Sequence, residues 1–341
     1  MQPENPVQPI IGEAPVFVDM LEHVSRAAPL NKPVLVVGER GTGKELIASR
    51  LHFLSLRWDQ PLVKVNCAAL TESILESELF GHEAGAFTGA IKAHTGHFER
   101  ANGGTLILDE LATISLRMQE KILRVIEYGE LQRVGGSDTI STDVRIVGST
   151  NADLPALAEN GDFRHDLLDR LAFDVITVPP LRERTEDILP LAQNFAVTMA
   201  SELRLEMFPG FTARAASSLL KYAWPGNVRE LKNAVERSVY RSEDKTRMVS
   251  SIAFDPFDSP FQPRTDERPQ QRPTAMAPVG NKAPLLPLDL KKRMLETERG
   301  LISAALEKSR FNQKVAASLL NLTYDQLRGK LRKHALDRRP V

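Results

Sequence analysis

The stretch that decides the fold is VLVVGERGTGKE, residues 34–45. Its first four residues are apolar and mostly β-branched, a pattern typical of a buried parallel strand. The pattern stops at Gly38, and helical spacing begins at Glu45. A strand, a glycine-rich turn and a helix in this order are the required context of the phosphate loop G-x-x-x-x-G-K. The stretch therefore predicts an α/β fold that binds the phosphates of a nucleotide.

Glycines in such a loop let backbone N–H groups turn toward phosphate, and the helix N-terminus adds a favourable dipole. Lys44 supplies a positive charge for the β- and γ-phosphate oxygens. The residue after Lys44 is Glu45, not the usual Ser or Thr that binds Mg²⁺, so Thr42 or water is expected to take that role. The predicted nucleotide-binding residues of the loop are Gly38, Glu39, Arg40, Gly41, Thr42, Gly43, Lys44 and Glu45.

A second half of a nucleotide-hydrolysing site follows at residues 105–110. An apolar strand there ends in Asp109 and Glu110, a Walker B pattern that begins its acidic pair 65 residues after Lys44. Asp109 is predicted to hold Mg²⁺ and Glu110 to polarise the attacking water. Asn151 follows the next strand and is a candidate contact for the γ-phosphate, although a simple turn-forming role explains it as well.

Short β-branched runs at 63–65, 144–150 and 175–178 alternate with helical patterns, which indicates a parallel sheet with crossover helices. After residue 179 the strand signals stop and three helical patterns follow. Eight prolines then recur among polar residues in 255–287, a composition typical of a tether. The expected domains are an α/β subdomain (1–178), a helical lid (179–254), a linker (255–287) and a helical DNA-binding domain (288–341).

Charge and composition narrow the class of protein. The chain has no net charge, but residues 288–341 carry 13 Lys and Arg against 6 Asp and Glu, which favours a polyanion-binding end. The single cysteine, Cys67, excludes an internal disulfide and fits a packed core thiol in a reducing cytosol. No apolar run has the length of a signal peptide or membrane span, so a cytoplasmic protein without membrane insertion is expected.

Six stretches of the chain belong together: residues 38–45 (GERGTGKE), 78–82 (ELFGH), 85–90 (GAFTGA), 103–110 (GGTLILDE), 163–171 (FRHDLLDRL) and 224–231 (WPGNVREL). Together they resemble the central domain of the sigma-54-dependent activators, an NtrC-like class of AAA+ ATPases. In that family, Glu after the phosphate-loop Lys is common. Generic AAA+ proteins lack the third stretch, residues 85–90, which makes it the most specific part of the resemblance.

The resemblance implies that the third stretch is a loop that touches the sigma factor. Small residues make it mobile, Phe87 offers one apolar anchor, and Thr88 can add a hydrogen bond. Composition alone also allows a surface turn with Phe87 folded back on the core. The predicted sigma-54 contacts are Gly85, Ala86, Phe87, Thr88, Gly89 and Ala90.

The same resemblance implies further roles around ATP and Mg²⁺. Arg164 and Arg170 act as arginine fingers across a subunit boundary, and Arg229 reads the nucleotide from the lid. Asn66 holds the catalytic Glu110 until the loop makes contact. The residues that flank the adenine are Ile10 and Ile11, before Gly12.

The tail resembles a Fis-type helix-turn-helix. Its last helix is predicted to enter the DNA major groove, and the longer helix before it suits dimerisation. The candidates for base edges are Tyr324, Gln326 and Arg328, and those for phosphates are Lys330, Arg332 and Lys333. A three-helix bundle that only caps the protein, without DNA, is the alternative.

The expected function is a hexameric ring that hydrolyses ATP to remodel sigma-54 RNA polymerase while the tail holds enhancer DNA. About ten residues precede the ATPase domain, so no receiver domain is expected and control comes from a separate inhibitor protein. Trp58, in a polar connection, is a candidate docking point for that inhibitor, or else it packs over the sheet edge. Two rivals are an AAA+ remodeller or helicase loader acting on DNA, and a non-enzymatic repressor that uses ATP only as a ligand.

Overall fold

The computed structural model describes residues 10–242, 244–257, 290–309 and 312–334. Contacts divide the chain into two compact units, 1–263 and 264–341. Most of the predicted linker lies outside the described residues. None of the helices that the structure describes is long and apolar enough to cross a membrane.

The first unit is built on a parallel five-stranded sheet in the order β2-β3-β6-β1-β7, and a separate antiparallel hairpin joins β4 and β5. Each strand of the large sheet is short, because four to six residues at about 3.3 Å each cross a domain of this size. The strands are β1 (Val34–Val37), β2 (Leu62–Asn66), β3 (Thr105–Asp109), β4 (Glu130–Gln132), β5 (Thr139–Ser141), β6 (Arg145–Thr150) and β7 (Asp174–Thr177).

Helix α1 precedes β1, and the other helices lie between and after the strands, as a sheet with crossover connections requires. Three short 3-10 helices (Leu111–Thr113, Leu181–Glu183 and Thr185–Asp187) complete the described elements. The α-helices are α1 (Pro15–Ala27), α2 (Lys44–Phe53), α3 (Glu72–Phe80), α4 (His97–Arg100), α5 (Leu116–Tyr128), α6 (Leu154–Glu159), α7 (His165–Leu171), α8 (Ile188–Glu202), α9 (Ala213–Lys221), α10 (Asn227–Arg241), α11 (Leu290–Lys308), α12 (Gln313–Leu319) and α13 (Tyr324–Lys333).

Alternating side chains of the central strands divide the core into two layers. Leu106 and Leu108 of β3 pack with α3, α5 and α7 on one face, whereas Ile107 packs with α1 and α2 on the other. Nearly every residue of the three central strands β1, β3 and β6 is buried. Burial on both faces explains why β1 and β3 have continuous apolar runs and not alternating ones. The sheet is therefore covered on both faces, which confirms the predicted AAA+ arrangement of a parallel sheet and helices.

Helices α8, α9 and α10 form the lid around a core of their own, with Trp224 fully buried at its centre. The Trp224 indole Nε1 donates to the carbonyl of Leu219 at 2.9 Å, so its one polar atom is satisfied. The second unit is a small bundle in which α11, α12 and α13 bury residues such as Ile302, Ala316 and Leu327. Thr323 caps α13 through a capping box with Gln326.

A buried arginine at the start of the central strand β6 fixes the end of α1 to the sheet. Arg145 begins β6 and is only 3% exposed. Its guanidinium donates to the carbonyls of Ala28 (2.5 Å), Ala27 (3.1 Å) and Lys32 (3.3 Å), where α1 ends. A cation there satisfies carbonyls that lack partners within the helix and complements the helix dipole.

We therefore expect Arg145→Met to lower the free energy of unfolding by about 2–3 kcal/mol, because it leaves buried carbonyls without a donor. Urea denaturation followed by circular dichroism measures the change. Arg26→Met is the control, because Arg26 is an exposed cation in the last turn of α1, the helix that Arg145 holds. Equal effects of the two substitutions would contradict the assigned role.

Candidate functional site

The phosphate loop lies between the carboxyl end of β1 and the first residue of α2. Lys44 is buried, and its Nζ donates to the carbonyls of Gly38 (2.9 Å) and Glu39 (3.2 Å). Burial lowers the pKa of Lys44, and the nearby carboxylates of Glu110 and Asp109 oppose that shift. The ammonium is therefore held inside the loop, where an incoming phosphate finds it together with the N-terminus of α2.

The lid is joined to this loop through the buried side-chain amide of a lid residue, Asn227. Asn227, at the start of α10, is fully buried, and its Oδ1 accepts from the N–H of Leu181 at 2.8 Å. Its Nδ2 donates to a carboxylate oxygen of Glu39 at 3.0 Å and to the carbonyl of Arg40 at 3.1 Å. Arg182 binds the same Glu39 carboxylate with two bonds of 2.6 and 2.9 Å. These partners, Arg182 first, lower the pKa of Glu39 to about 2.

Two more lid residues reach loop carbonyls. The backbone N–H of Arg229 donates to Gly41 at 3.3 Å, and the guanidinium of Arg184 donates to Thr42 at 3.0 Å. Gly41 has φ +77°, and a Cβ there would lie 2.3 Å from the carbonyl oxygen of Gly226. Only glycine allows the lid to approach the loop this closely.

Two adjoining cavities meet at this junction and share Gly43, Leu46 and Val228 in their walls. The first, of about 360 Å³, is largely apolar and contains the predicted adenine contacts Ile10 and Ile11. The second, of about 590 Å³, is polar and is lined by residues that suit phosphates and a cation. These lining residues include Arg40, Gly41, Lys44, Glu45, Asp109, Glu110 and Arg229. Gly12 lies beside the apolar cavity, against the ring of Phe17.

Asp109 and Glu110 end β3 in the polar cavity. The Asp109 Oδ1 accepts from the Ser149 hydroxyl at 2.6 Å, so Ser149, fully buried in β6, fixes the orientation of that carboxylate. Glu110 has φ +53°, a left-handed conformation that turns its side chain away from the strand direction. Such strain in a non-glycine residue is typical of functional sites.

Two other predicted contacts lie at the same sheet edge. Asn66 is opposite Asp109 in register, but its Oδ1 accepts from the N–H of Ala68 at 2.9 Å. No hydrogen bond joins Asn66 to Glu110 among the residues that the structure describes, so the predicted hold on Glu110 stays a prediction. Asn151 is exposed directly after β6.

The donor set suits a Mg²⁺ ion bound mainly through phosphates. Among the described residues, no group of three or more His, Cys, Asp or Glu side chains is placed to hold a metal ion. Mg²⁺ usually takes one or two carboxylates plus phosphate oxygens and water, which Asp109 with a nucleotide can provide. The Thr42 hydroxyl donates to the Glu39 carbonyl at 2.9 Å and the residue is buried, whereas Glu45 pairs with Lys64 at 3.2 Å.

The two predicted arginine fingers lie outside these cavities. Arg164 pairs with Asp166 through bonds of 3.0 and 2.7 Å, and Arg170 pairs with Glu127 at 2.9 Å. Arg170 is exposed at the end of α7. Neither guanidinium contacts the phosphate loop in the described chain, so the role of these two residues as arginine fingers stays a prediction.

The predicted partner loop, residues 85–90, projects from the end of α3. Its turn is closed by Gly85 N–H to the Ala90 carbonyl (2.8 Å) and Ala90 N–H to the Phe87 carbonyl (3.0 Å). Phe87 is 47% exposed and is not folded into the core. Thr88 is exposed beside it.

Trp58 and its neighbour Leu56 form an exposed apolar pair after α2, 64% and 83% exposed respectively. Trp58 is therefore largely exposed to solvent, and its role as a docking point stays a prediction. Cys67 is buried in the core, and burial raises the pKa of its thiol to about 12, as expected of a packed thiol.

Five of the six predicted DNA contacts are exposed and the sixth, Lys330, is half-exposed; the exposed ones are Tyr324, Gln326, Arg328, Arg332 and Lys333. Lys330 and Lys333 also pair with Glu298 of α11, and His334 Nε2 lies 2.9 Å from the same carboxylate. These partners, Lys330 first, lower the pKa of Glu298 to about 2.

The remaining two candidates are also engaged within the unit. Gln326 Oε1 accepts from the N–H of Thr323 at 3.0 Å as part of the helix cap, and the Tyr324 hydroxyl donates to Gln313 at 3.5 Å.

Sequence reasoning missed Ser149, Arg182, Arg184 and Asn227. Ser149 lies inside an apolar strand, and the two arginines lie in a polar connection, so none had a pattern of its own. Asn227 alone offered a signal, since it follows a Trp-Pro-Gly turn and begins a helix.

Comparison with known proteins covers nearly the whole chain. The family model for the sigma-54 interaction domain matches residues 10–177, and that for the AAA+ ATPase lid domain matches 182–270. The model for bacterial regulatory proteins of the Fis family matches 294–334.

Individual relatives agree with these matches. The Psp operon transcriptional activator of Escherichia coli (strain K12) is 56% identical over 327 residues, which are 96% of this chain and 98% of that protein. The Nif-specific regulatory protein of Azotobacter vinelandii is 43% identical over 93% of this chain and 57% of its own length. Crystal structures of NtrX from Brucella abortus with ATP and with ADP match at TM-score 0.66 and 30% identity, over 96% of this chain and 70% of theirs.

Ser149→Ala is expected to lower ATP turnover about 10- to 100-fold, because it frees a carboxylate whose orientation a second side chain sets. Steady-state phosphate release measures the turnover, and a fluorescent nucleotide measures binding, which should change little. Ser218→Ala is the control, since the Ser218 hydroxyl bonds only the carbonyl of Arg214 on an exposed helix face. Unchanged turnover would show that Asp109 needs no such support.

Proposed function

The chain belongs to the family of sigma-54-dependent transcriptional activators, and on this premise we propose that ATP hydrolysis in an oligomeric ring drives its partner polymerase from the closed to the open promoter complex. The chain is an AAA+ ATPase with a Fis-type DNA-binding domain. The observation that carries the proposal is the loop at 85–90, which exposes Phe87 and Thr88 in the same compact unit as the nucleotide cavities.

At the nucleotide, each group has one task. Lys44 neutralises the phosphates, and Glu110 orients the attacking water and accepts its proton. Asp109, fixed by Ser149, and the phosphates would hold Mg²⁺, which neutralises charge on the phosphates when it is bound. The apolar cavity at Ile10 and Ile11 takes the adenine.

Assembly into a ring completes the site. Arg164 and Arg170 are paired with carboxylates of their own protomer in exposed positions, where each pair contributes little to stability. They exchange these partners for the nucleotide of a neighbouring protomer. A guanidinium at that point stabilises the charge that develops on the transferred phosphoryl group.

The partner loop is tied to the body by an ion cluster. Arg133 binds Glu99 with two bonds (2.9 and 2.7 Å) and Glu83 at 3.0 Å, and Glu83 immediately precedes the loop region. Arg133 thereby lowers the pKa of Glu99. This cluster transmits movements of the α/β body to the loop.

The exposed pair Leu56 and Trp58 is the proposed docking site for a separate inhibitor protein that controls this chain. A large aromatic that is exposed beside an aliphatic residue is typical of a protein-binding hot spot. An inhibitor protein of the PspA type is the proposed occupant, in keeping with the similarity to the Psp operon activator.

The test is open-complex formation with purified sigma-54 polymerase, a sigma-54 promoter and ATP. Open complexes with ATP, and none with a non-hydrolysable analogue, support the proposal. ATP turnover that DNA ends stimulate and sigma-54 does not would favour the DNA remodeller, and the absence of phosphate release would favour the repressor.

Thr88→Ala should leave steady-state ATP turnover within about 2-fold of wild type and reduce open-complex formation by 10-fold or more, because the change removes a contact made only to the partner. Thr246→Ala, a threonine on the lid surface, is the matched control. Retained activation by Thr88→Ala would refute the loop assignment.

DNA binding by the tail is proposed to involve a competition at Glu298. Arg328 and Arg332 meet the DNA directly, whereas Lys330 and Lys333 must leave Glu298 before they neutralise phosphate. Each phosphate neutralised releases counterions, so binding weakens with salt in proportion to the number of contacts.

Glu298→Gln is therefore expected to tighten binding to enhancer DNA, because Lys330 and Lys333 then meet phosphate without first leaving a carboxylate. The slope of log K against log salt should stay that of wild type, since the same phosphates are neutralised in the complex. Fluorescence anisotropy at several salt concentrations measures both. Asp325→Asn is the matched control, because it removes one negative charge from α13 without releasing Lys330. Identical effects of the two variants on DNA binding would mean that only the net charge matters, which would contradict the competition at Glu298.

A further inference from the structure

His82 stands at the neck of the partner loop, between its two ends. Helix α3 ends at Phe80, and Gly81 follows it with φ +78°. A Cβ on Gly81 would lie 2.5 Å from the carbonyl oxygen of His94, so glycine is needed for the two segments to approach this closely. His82 then pairs with His94 through two backbone hydrogen bonds of 3.1 and 2.8 Å. On its other side His82 forms a bridge to Val134. The backbone of His82 therefore touches both segments that support the loop.

The imidazole ring of His82 adds two further links. Its Nε2 lies 3.1 Å from the carbonyl of Lys92, on the far side of the loop, and its Nδ1 lies 2.7 Å from the hydroxyl of Ser77 on α3. A carbonyl only accepts, so Nε2 carries the proton and Nδ1 accepts from the Ser77 hydroxyl. Both nitrogens are used, and the plane of the ring is fixed.

The fixed ring contacts Phe87. The two ring centroids are 4.9 Å apart with an interplanar angle of 60°, an edge-to-face contact. Ser77 is buried on a helix whose Leu79 and Phe80 are core residues, so the support beneath His82 is rigid. Phe87 is thus held half-exposed by a ring that the core itself orients.

We propose that His82 is a positioning residue that holds Phe87 in the pose in which it meets the partner, by closing the neck of the loop between Ser77 and Lys92. The inference rests on the proposed function of the loop. It predicts that the loop loses its pose when the ring loses its two hydrogen bonds, even where an aromatic ring remains at this position.

Two substitutions separate the ring from its hydrogen bonds. His82→Phe keeps the aromatic contact and loses both bonds, and His82→Gln loses the ring. Both are expected to reduce open-complex formation about 10- to 100-fold, since small misplacements of a positioned group have effects of this size. Both should keep ATP turnover within about 2-fold of wild type, because His82 touches neither nucleotide cavity.

Amide hydrogen exchange gives a readout that does not depend on the partner. Exchange in peptides covering 83–92 should accelerate in both variants, because the Gly85 and Ala90 amides are protected by bonds within the loop. Ser77→Ala, which removes one of the two bonds, should accelerate exchange less. His23→Gln is the control, a histidine paired with Asp174 outside the loop.

The outcomes are distinct. Wild-type exchange and wild-type activation in both His82 variants would overturn the inference. If Phe87→Ala itself leaves open-complex formation unchanged, the proposed function of the loop fails, and exchange in the His82 variants still decides whether His82 holds it. Global unfolding of the His82 variants would leave Ser77→Ala to decide, and unchanged exchange in 83–92 there would overturn the inference.

Discussion

The contact of the lid with the carbonyls of the phosphate loop is the constraint on which the rest of this site depends. Asn227, Arg229 and Arg184 each donate to a loop carbonyl, at 3.1, 3.3 and 3.0 Å. The carbonyls of Arg40, Gly41 and Thr42 are therefore turned toward the lid and occupied by it. The N–H groups of the loop and the ammonium of Lys44 are left for a ligand. The same bonds place the lid so that the apolar and polar cavities adjoin. Binding and lid position are thus parts of one hydrogen-bonded unit.

This arrangement also explains where charges are buried. Arg184 is buried, and its guanidinium lies 4.4 Å from the centre of the Phe17 ring, beside Asp187. Burial lowers the pKa of Arg184, because the charged form is less well solvated there than in water. The guanidinium links the wall of the apolar cavity to the Thr42 carbonyl, so it fixes the lid against the phosphate loop.

The sequence predicted the parts of the fold and of the site that have a strong local sequence pattern. β1, the phosphate loop and the acidic end of β3 follow from apolar runs that stop at glycine or carboxylate. The hairpin β4–β5 was missed, because its strands have three residues each and only one buried side chain between them. Ser149 and Asn227 were missed because their importance comes from partners 40 and 188 residues away. Contacts over such separations have no signature in the local sequence.

The same limit applies to the DNA candidates, where composition counted every basic residue of α13 as available. Lys330 and Lys333 share a carboxylate of α11, so part of the positive charge serves the packing of the small bundle. A three-helix unit of this size has a small core, and ion pairs between its first and last helices help to hold them together. Any anion that takes these lysines must first replace Glu298 as their partner, so composition overstates the positive charge that α13 offers to a ligand.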